Sequence, residues 1–554
     1  MKVAMLQLNF TVGDLFGNTE KIIKAYKEAV SMGADIAVTS ELAIFGYPPK
    51  DMLLYESFLN MQSHEIERLQ KEVGEVGLIV GIAEKNFGNG KPLFNSAVLI
   101  RNGEIILSQK KSLLPTYDVF DESRYFEPGN NDAAIFEYNG SRCAILICED
   151  IWNGDETLSR KLYKYNPVEK LKNLHLDNLF VINGSPYYLR KGTLRFNLVK
   201  NIASKLNCNV IYVNQVGGND DLVFDGRSFA MCRDGFCIAA SNAFEENIVI
   251  ADTESCKWSG NYKFDLNNED LYNALVLGTR DYVQKTGFEK ALIGLSGGID
   301  SALTACIAVD ALGKENVLGV AMPSKFSSKG SLDDARRLSD NLGIALEEIP
   351  IGETYNAFEE TLKHEIGWYE PGSNKDDVTE ENIQARIRGI ILMAISNRTE
   401  GLVLSTGNKS EISVGYCTLY GDMTGGFAVI SDLWKTQIYQ LAKFVNERGK
   451  GYIIPKNTLE KPPSAELSPD QKDIDSLPPY DVLDPILKAY IEEQKGLDEI
   501  AGEDEKPEKA VTVRNVIEMV NRAEHKRKQM PLGLKISSKA FGSGRRWPIA
   551  AKNL

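Results

Sequence analysis

At 554 residues the chain has room for two to four domains of ~150 residues, and 43% hydrophobic with 25% charged residues is the make-up of globular domains with full cores. A formal charge of −14 argues against nucleic acid or an anionic membrane as partner. The start, Met1–Phe10, is too short and polar for a signal peptide, and no apolar run approaches the ~20 residues of a membrane span, so a cytoplasmic protein is expected. Eight scattered cysteines, of which Cys232 and Cys237 miss C-x-x-C spacing, and four scattered histidines argue against structural zinc; free thiols are expected.

In chain order, Val3–Asn9 alternates as a strand. A helix follows from Asn18, the expected N-cap, to Gly33. The strand Asp35–Glu41 ends in a carboxylate, and strand ends are where α/β folds display reactive side chains. An amphipathic stretch, Phe58–Glu72, and an apolar run, Val76–Ala83, come next. Ser96–Leu107 then reads as a hairpin turning at Asn102-Gly103 and leading into Lys111-Ser-Leu-Leu-Pro115. In Cys143–Trp152, strand alternation puts Cys143 and Cys148 on opposite faces, with Cys148 where the apolar run gives way to Glu149-Asp150. A lone cysteine is usually a small buried hydrophobe. A Glu and a Lys at two other strand ends change that weighting. The carboxylate can take the thiol proton, the ammonium can steady an oxyanion, and the thiolate can attack an amide carbon.

These three stretches resemble the Glu-Lys-Cys triad of the nitrilase (carbon–nitrogen hydrolase) family, with Ser40–Pro48 matching Ser-Glu-Leu-x-x-x-Gly-Tyr-Pro. The resemblance implies an α-β-β-α sandwich with Glu41 as base, Lys111 at the oxyanion and Cys148 as nucleophile. Lys110 is the alternative lysine; Lys111 fits the Lys-x-x-Leu-Pro spacing. Val119-Phe-Asp-Glu122 and Asn183-Gly-Ser185-Pro, with Lys191, resemble the glutaminase domain fused to NAD synthetases. On that likeness Tyr117, Ser185 and Lys191 hold glutamine. Read alone, Tyr117 and Ser185 suit turns and packing.

Strand-like alternation continues through Asn209–Asn214 and Ile248–Asp252. The polar stretch Ser255–Asn268, which includes Gly260, separates domains expected at 1–254 and 269–554. A helix at Glu269–Gln284 leads to a strand, Ala291–Leu295, then Gly294-Leu-Ser-Gly-Gly-Ile-Asp-Ser301, then a helix, Ala302–Leu312. Strand, Gly/Ser loop and helix aim backbone N–H groups and a helix dipole at phosphate. The loop lacks the lysine of G-x-x-x-x-G-K-[ST]; its hydroxyls and carboxylate suit a pyrophosphate that leaves as a unit with magnesium nearby. Gly294-Leu-Ser296-Gly-Gly298 also fits the nucleophile elbow G-x-S-x-G, but the later His364 and His525 sit among charges. Val317–Met322, a helix at Ser331–Gly343 and Leu346–Ile351 extend a β-α-β pattern, predicting a doubly wound parallel sheet. A polar loop, Glu370–Glu381, precedes a helix at Asn382–Ile395 carrying Arg386 and Arg388. These arginines fit a solvated surface or an anion. Thr406 and Glu411 follow the strand Gly401–Ser405. The Pro-rich Lys461–Pro479 reads as a linker or a lid.

The 294–301 octet resembles the loop of the N-type ATP pyrophosphatases. With Glu-Asn-Ile-Gln-Ala-Arg386, Leu-Ser-Thr406-Gly-Asn-Lys-Ser-Glu411, Tyr-Gly-Asp422 and Lys-Pro-Pro-Ser464-Ala-Glu-Leu467, the order resembles that of the NAD synthetases. The resemblance implies ATP at Gly294, Leu295, Ser296, Gly297, Gly298, Ile299, Asp300, Ser301, Thr406, Lys435 and Ser464. It implies Mg²⁺ at Asp300 and Glu411, and deamido-NAD at Asn382, Arg386, Glu411 and Lys526. Leu419 departs from the pattern, since ammonia-using members carry Lys there; for the basic run Lys526–Lys528 a solvated surface is the plain alternative. The expected activity is glutamine-fed amidation of deamido-NAD to NAD through an adenylated intermediate, in a homo-oligomer by resemblance. Rival readings are a glutamine-fed pyrophosphatase with another acceptor, and a nucleotide sensor with a decayed amidase.

Overall fold

The computed structural model describes the chain except residues 131–132, 155–160, 258–261, 263–265, 363–377, 450, 503–506 and 553–554. His364, Gly260 and much of the 255–268 linker, and most of the loop expected at 370–381, lie outside the described residues. The chain forms two units, Met1–Asp270 and Leu271–Leu554. Among the described residues no helix is long and apolar enough to cross a membrane.

The first unit holds two six-stranded sheets. One runs Asn247–Asp252, Lys2–Gln7, Ile36–Val38, Gly77–Lys85, Leu93–Arg101, Glu104–Lys110 from edge to edge. The other runs Cys237–Ala240, Phe229–Met231, Asn209–Asn214, Asn178–Asn183, Ser141–Ile147, Ile135–Tyr138. Side-chain alternation along the strands decides the layers. Val3 and Met5 of the first strand join Ile145, Ile147, Phe180 and Ile182 of the other sheet in one core. Ala4 and Leu6 turn the other way, onto Ile22 and Tyr26 of the helix Leu15–Ser31. On the far side, Leu179 and Val181 pack on Phe196, Val199 and Ile202 of the helix Lys191–Leu206. The result is the helix–sheet–sheet–helix sandwich.

Three local expectations are corrected. Asp14, not Asn18, caps the first helix, accepting from the Gly17 N–H. Asn18 lies inside the helix, where its amide ties Thr11 to Ile44. Cys143 and Cys148 do not face opposite sides: the strand ends at Ile147, Cys148 opens a 3-10 turn, and both sulfurs belong to the same core. The free-thiol expectation fails at Cys232 and Cys256, which form a disulfide. Spacing hid this pair because its members are 24 residues apart and the fold brings their Cα atoms to 5.7 Å.

The second unit has a five-stranded sheet, Ala345–Glu348, Val317–Ala321, Ala291–Gly294, Leu402–Ser405, Phe427–Ala428, all parallel. Parallel strands covered on both faces read as apolar runs, as these do except for the largely exposed edge strand Ala345–Glu348. Leu292, Val320 and Val403 meet Ile383, Ile387 and Leu392 of the helix Thr379–Thr399 on one face. Counted along the unit the strand order is 3-2-1-4-5, so the chain reverses direction across the sheet between Ala291–Gly294 and Leu402–Ser405. A crevice opens at such a point, beyond the strands' C-terminal ends.

Candidate active sites

In the first unit, Glu41 follows a strand that ends at Val38 rather than running to the carboxylate. The loop carrying it crosses Gly81, where a Cβ would lie 2.4 Å from the Leu42 nitrogen; only glycine permits that approach. The hairpin turns at Asn102-Gly103 with φ of 51° and 81°, as Asn-Gly turns do, and delivers Lys111 just past its second strand. Cys148 has φ 45°, a left-handed backbone unusual for a side chain of this kind and typical of strained functional turns.

The Lys111 Nζ donates to Glu41 Oε1 at 2.7 Å and to both oxygens of Glu122, at 2.7 and 2.8 Å. Glu41 also accepts from Asn95 Nδ2 at 2.7 Å and the Gly184 N–H at 2.8 Å. Tyr47 donates to Glu122 at 2.8 Å. Lys110 lies instead over the Phe94 ring, 3.6 Å from Glu84. Cys148 has Glu41, Lys111, Glu149 and Glu122 as its charged neighbours. Burial pushes the Cys148 thiol well above its ordinary value, Glu41 adds to this, and Lys111 opposes it. Burial also lifts Glu122 to about 7 against the pull of Lys111, with Glu41 adding to the lift. Burial works against the charge on Lys111, but Glu122, Glu41 and Cys148 together raise its pKa well above the usual. The resting pair is therefore a neutral thiol beside an ammonium held by two carboxylates.

Around this centre, Tyr117 donates to both oxygens of Glu149, at 3.0 and 2.9 Å, and Tyr163 donates to the same carboxylate at 3.0 Å. Ser185 Oγ accepts from Arg195 Nε at 3.2 Å, and Arg195 is itself paired to Asp225 at 2.6 Å. The Lys191 ammonium stands over the Trp152 and Tyr188 rings. Glu122, Asn95, Glu149 and Asp150 carried no role in the sequence reading. Glu122 left a trace there as a motif end and Glu149-Asp150 as the acidic pair after Cys148, whereas Asn95 left none.

In the second unit a cavity of about 450 Å³ opens at the sheet's reversal point. Gly294, Leu295, Ser296, Gly298, Ile299, Asp300 and Ser301 line it, whereas Gly297 is not among the lining residues. The helix starts earlier than expected, at Ile299, so Asp300 and Ser301 lie in its first turn. Gly297 has φ 74°, and a Cβ there would sit 2.1 Å from the Ser331 carbonyl oxygen, so the loop demands glycine. Ser296 Oγ accepts from the Gly298 N–H at 3.2 Å and lies 3.2 Å from Ser301 Oγ. Thr406, Glu411, Lys435, Ser464, Asn382 and Lys526 all line the cavity. The Lys435 Nζ bridges Asp300 at 2.6 Å and Glu411 at 2.9 Å. Burial lifts Glu411 to about 7, Lys435 opposing and Asp300 adding. Asn382 accepts from Thr418 Oγ1 at 2.7 Å, and Lys526 donates to the Gly415 and Cys417 carbonyls at 2.8 Å each.

Arg386 is not among the cavity's lining residues. It is exposed and donates to the Leu419 carbonyl at 3.2 Å, whereas Arg388, two residues on, lines the wall and donates to the Met322 carbonyl at 3.0 Å. The two side chains leave the helix in different directions, so spacing from one motif arginine did not identify the inward one. Burial lowers Arg388 to about 10, with Glu466 opposing the shift.

The carbon–nitrogen hydrolase family model matches residues 2–258 and the NAD synthase model residues 271–530. A glutamine-dependent NAD(+) synthetase of Synechocystis sp. is 45% identical, the match covering 99% of this chain and 98% of that one. That of Thermotoga maritima is 42% identical, with coverage of 99% and 98%. The chain belongs to the glutamine-dependent NAD(+) synthetases. A solved family structure from Acinetobacter baumannii, in complex with adenosine diphosphate, is 39% identical, with TM-score 0.78 and coverage of 99% and 98%. One from Cytophaga hutchinsonii shares the fold, with TM-score 0.83 at 20% identity and coverage of 100% and 98%. Both units thus carry the fold of this family of ligases.

Proposed function

We propose that the chain makes NAD by amidating deamido-NAD with glutamine-derived ammonia, at the expense of ATP. The observation that carries this is the convergence of Glu41, Lys111 and Cys148 from three separate segments, in a chain whose other unit holds the Gly297 loop beside two carboxylates. Tyr117, Ser185 and Lys191 hold glutamine, and the Glu149 carboxylate between two tyrosine hydroxyls suits its ammonium group. The Cys148 sulfur attacks the carboxamide carbon while Glu41 takes the thiol proton and returns it to the leaving nitrogen. Ammonia departs and a thioester forms. Water then attacks the thioester, Glu41 relaying its proton to sulfur, and glutamate leaves. Lys111 steadies the oxyanion in both halves.

At the second site residues 294–301, Thr406, Lys435 and Ser464 hold ATP, and Asn382, Glu411 and Lys526 face deamido-NAD; the solved relative bound to adenosine diphosphate supports a nucleotide here. The wall position of Arg388 makes it a better candidate than Arg386 for contact with bound substrate. A carboxylate oxygen of deamido-NAD attacks the α-phosphorus, the bond to the bridging oxygen breaks, and pyrophosphate leaves with the electron pair. Ammonia then attacks the acyl carbon, AMP leaves, and one proton passes to solvent. Asp300 and Glu411 fit Mg²⁺, because two hard oxygen donors already converge on one cation, the Lys435 ammonium. Bound there, the ion would stabilise charge on the departing pyrophosphate. The loop's N–H groups and Lys435 act on the same charge. This reading includes a cytoplasmic home and a homo-oligomer; light scattering on the purified chain tests the assembly.

The test is NAD formation from deamido-NAD and ATP, with either glutamine or ammonium, in wild type and Cys148→Ala. The variant is expected to lose glutamine use and keep ammonium use. Glutamine use by Cys148→Ala would remove Cys148 as nucleophile. Failure of wild type with both nitrogen sources would make the acceptor wrong.

A further inference from the structure

The segment from Lys461 to Asp473 forms one wall of the ATP cavity, contributing Lys461 to Leu467, Gln471 and Asp473. It is fastened at its middle by Glu466. One Glu466 oxygen accepts from Ser331 Oγ at 2.6 Å and Ser328 Oγ at 3.0 Å, and the other from the Ser328 N–H at 3.2 Å. Ser328 is the N-cap of the helix Lys329–Leu342, and Ser331 lies in its first turn, so a carboxylate sits where the helix dipole favours negative charge. Glu466 has φ 49°, a backbone conformation that costs a non-glycine residue free energy and persists where surrounding contacts over-determine it.

The far side of the same helical turn carries the phosphate loop. The Ser331 carbonyl is the atom against which Gly297 closes, at the distance that excludes any side chain. A further contact runs in parallel: Thr458 Oγ1 donates to the Gly297 carbonyl at 3.3 Å. Lys461 Nζ donates to Ser331 Oγ at 2.9 Å, so both ends of the fastened stretch meet on Ser331. Elsewhere the strap is held to the helix Thr379–Thr399: Gln384 Nε2 donates to the Leu467 carbonyl at 2.9 Å, and Gln471 to Glu381 at 3.3 Å.

We infer that Glu466 is a positioning residue for ATP: through Ser331 it ties the strap over the cavity to the loop that receives the phosphates, so that closing the one shapes the other. Glu466 bonds Ser328 and Ser331, and so fixes the turn on which Gly297 rests. This inference rests on the assignment of the cavity to ATP and deepens it. A helix cap alone would contribute stability and leave nucleotide affinity untouched.

The experiment compares wild type, Glu466→Ala, Glu466→Gln and the double variant Glu466→Ala/Ser331→Ala. The readouts are the Kd of a non-hydrolysable ATP analogue by calorimetry, KM and kcat for ATP in the ammonium-driven reaction, and hydrogen exchange over 294–301 and 461–473. Losing these charge-assisted hydrogen bonds is expected to raise Kd and KM about tenfold in Glu466→Ala, with a smaller change in kcat. Exchange should rise in both segments. Glu466→Gln keeps a carbonyl acceptor for the serines and is expected to recover most of the affinity, while the double variant should be little worse than Glu466→Ala. An unchanged Kd in a folded Glu466→Ala, or exchange rising in the strap alone, overturns the coupling. Absence of analogue binding to wild type overturns the ATP assignment instead, so the two failures are distinct.

Discussion

Asp150 joins two segments that the proposed glutaminase chemistry needs together. Its Oδ1 accepts the Ser112 and Leu113 N–H groups at 2.9 and 2.8 Å, and its Oδ2 accepts the Ile147 N–H at 3.1 Å, locking the residues after Lys111 to the turn that presents Cys148. In Asp150→Asn the amide oxygen can satisfy one side, but its NH₂ then faces an N–H. That mismatch is expected to cost about 1–3 kcal/mol and to abolish glutamine use while ammonium use survives, read by thermal unfolding and by NAD formation. Cys148 gives a second expectation at this scale. Because burial and then Glu41 raise its pKa well above 9.0, its thiolate fraction grows with pH beyond that value. The iodoacetamide rate of wild type minus that of Cys148→Ala should therefore climb through pH 9; a plateau below pH 8 would contradict the site's electrostatics. Glu41, Lys111 and Cys148 were singled out in the sequence by their places after strands and by the Glu-Lys-Cys resemblance, and the structure brings the three together. The roles of Asn95 and Asp150 were not legible: their partners lie 54 and 38 residues away in the bonds to Glu41 and Ser112, with no local pattern to mark those bonds.

Among the elements, the turn after Leu402–Ser405 is secured from behind. Lys409 is wholly buried, and its ammonium bonds Glu492 at 2.7 Å, Asp432 at 2.8 Å, Ser537 Oγ at 2.7 Å and the Lys539 carbonyl at 2.9 Å. Asp432 in turn accepts the Ile536 and Ser537 N–H groups, so the C-terminal stretch is laced to the helix that carries Glu411. Lys409→Met leaves two buried carboxylates without their cation and is expected to destabilise the second unit by about 3–5 kcal/mol, measured from urea midpoints. Long apolar or amphipathic runs revealed most strands and helices, and Asn102-Gly103 revealed the hairpin. Caps were harder to read: Asp14 and Asn18 are both good caps by type, and what distinguishes them is Asn18's long-range bond to Ile44. The Cys232–Cys256 bond was equally invisible, since it depends on where strand ends meet. Thiol titration of the unfolded, unreduced chain checks it: with the disulfide intact six of the eight cysteines react, and reduction yields all eight.

For the molecule as a whole, the sequence announced two fold types, because the first half reads as sheets with one alternating inner face and the second as apolar parallel strands between helices. The strand order 3-2-1-4-5 was beyond it, since pairing across a sheet leaves no trace in local periodicity. Each unit has its own cores. The helix Asn267–Lys285 buries Leu271, Tyr272, Ala274 and Leu275, which makes its start the place to divide the chain. Residues 266–554 alone are expected to fold and make NAD from ammonium. A cut at 276, inside that helix, should yield insoluble or unfolded protein. Equal solubility and activity from the two cuts would show that this helix is dispensable to the second unit.

Lys435 lies between Asp300 and Glu411, where the proposed reading puts an inorganic cation. Two carboxylates aimed at one point repel when nothing lies between them, and a tethered ammonium removes that repulsion whenever the site is vacated. On the proposed reading, a divalent ion arriving with ATP would exchange with this ammonium, which would return when the site empties. If Lys435 assists the phosphates as proposed, the same side chain would also lower the idle enzyme's hold on divalent ions. Lys435→Met should accordingly weaken ATP binding yet strengthen nucleotide-free Mn²⁺ binding by paramagnetic resonance; losses in both would mean the lysine serves only the nucleotide.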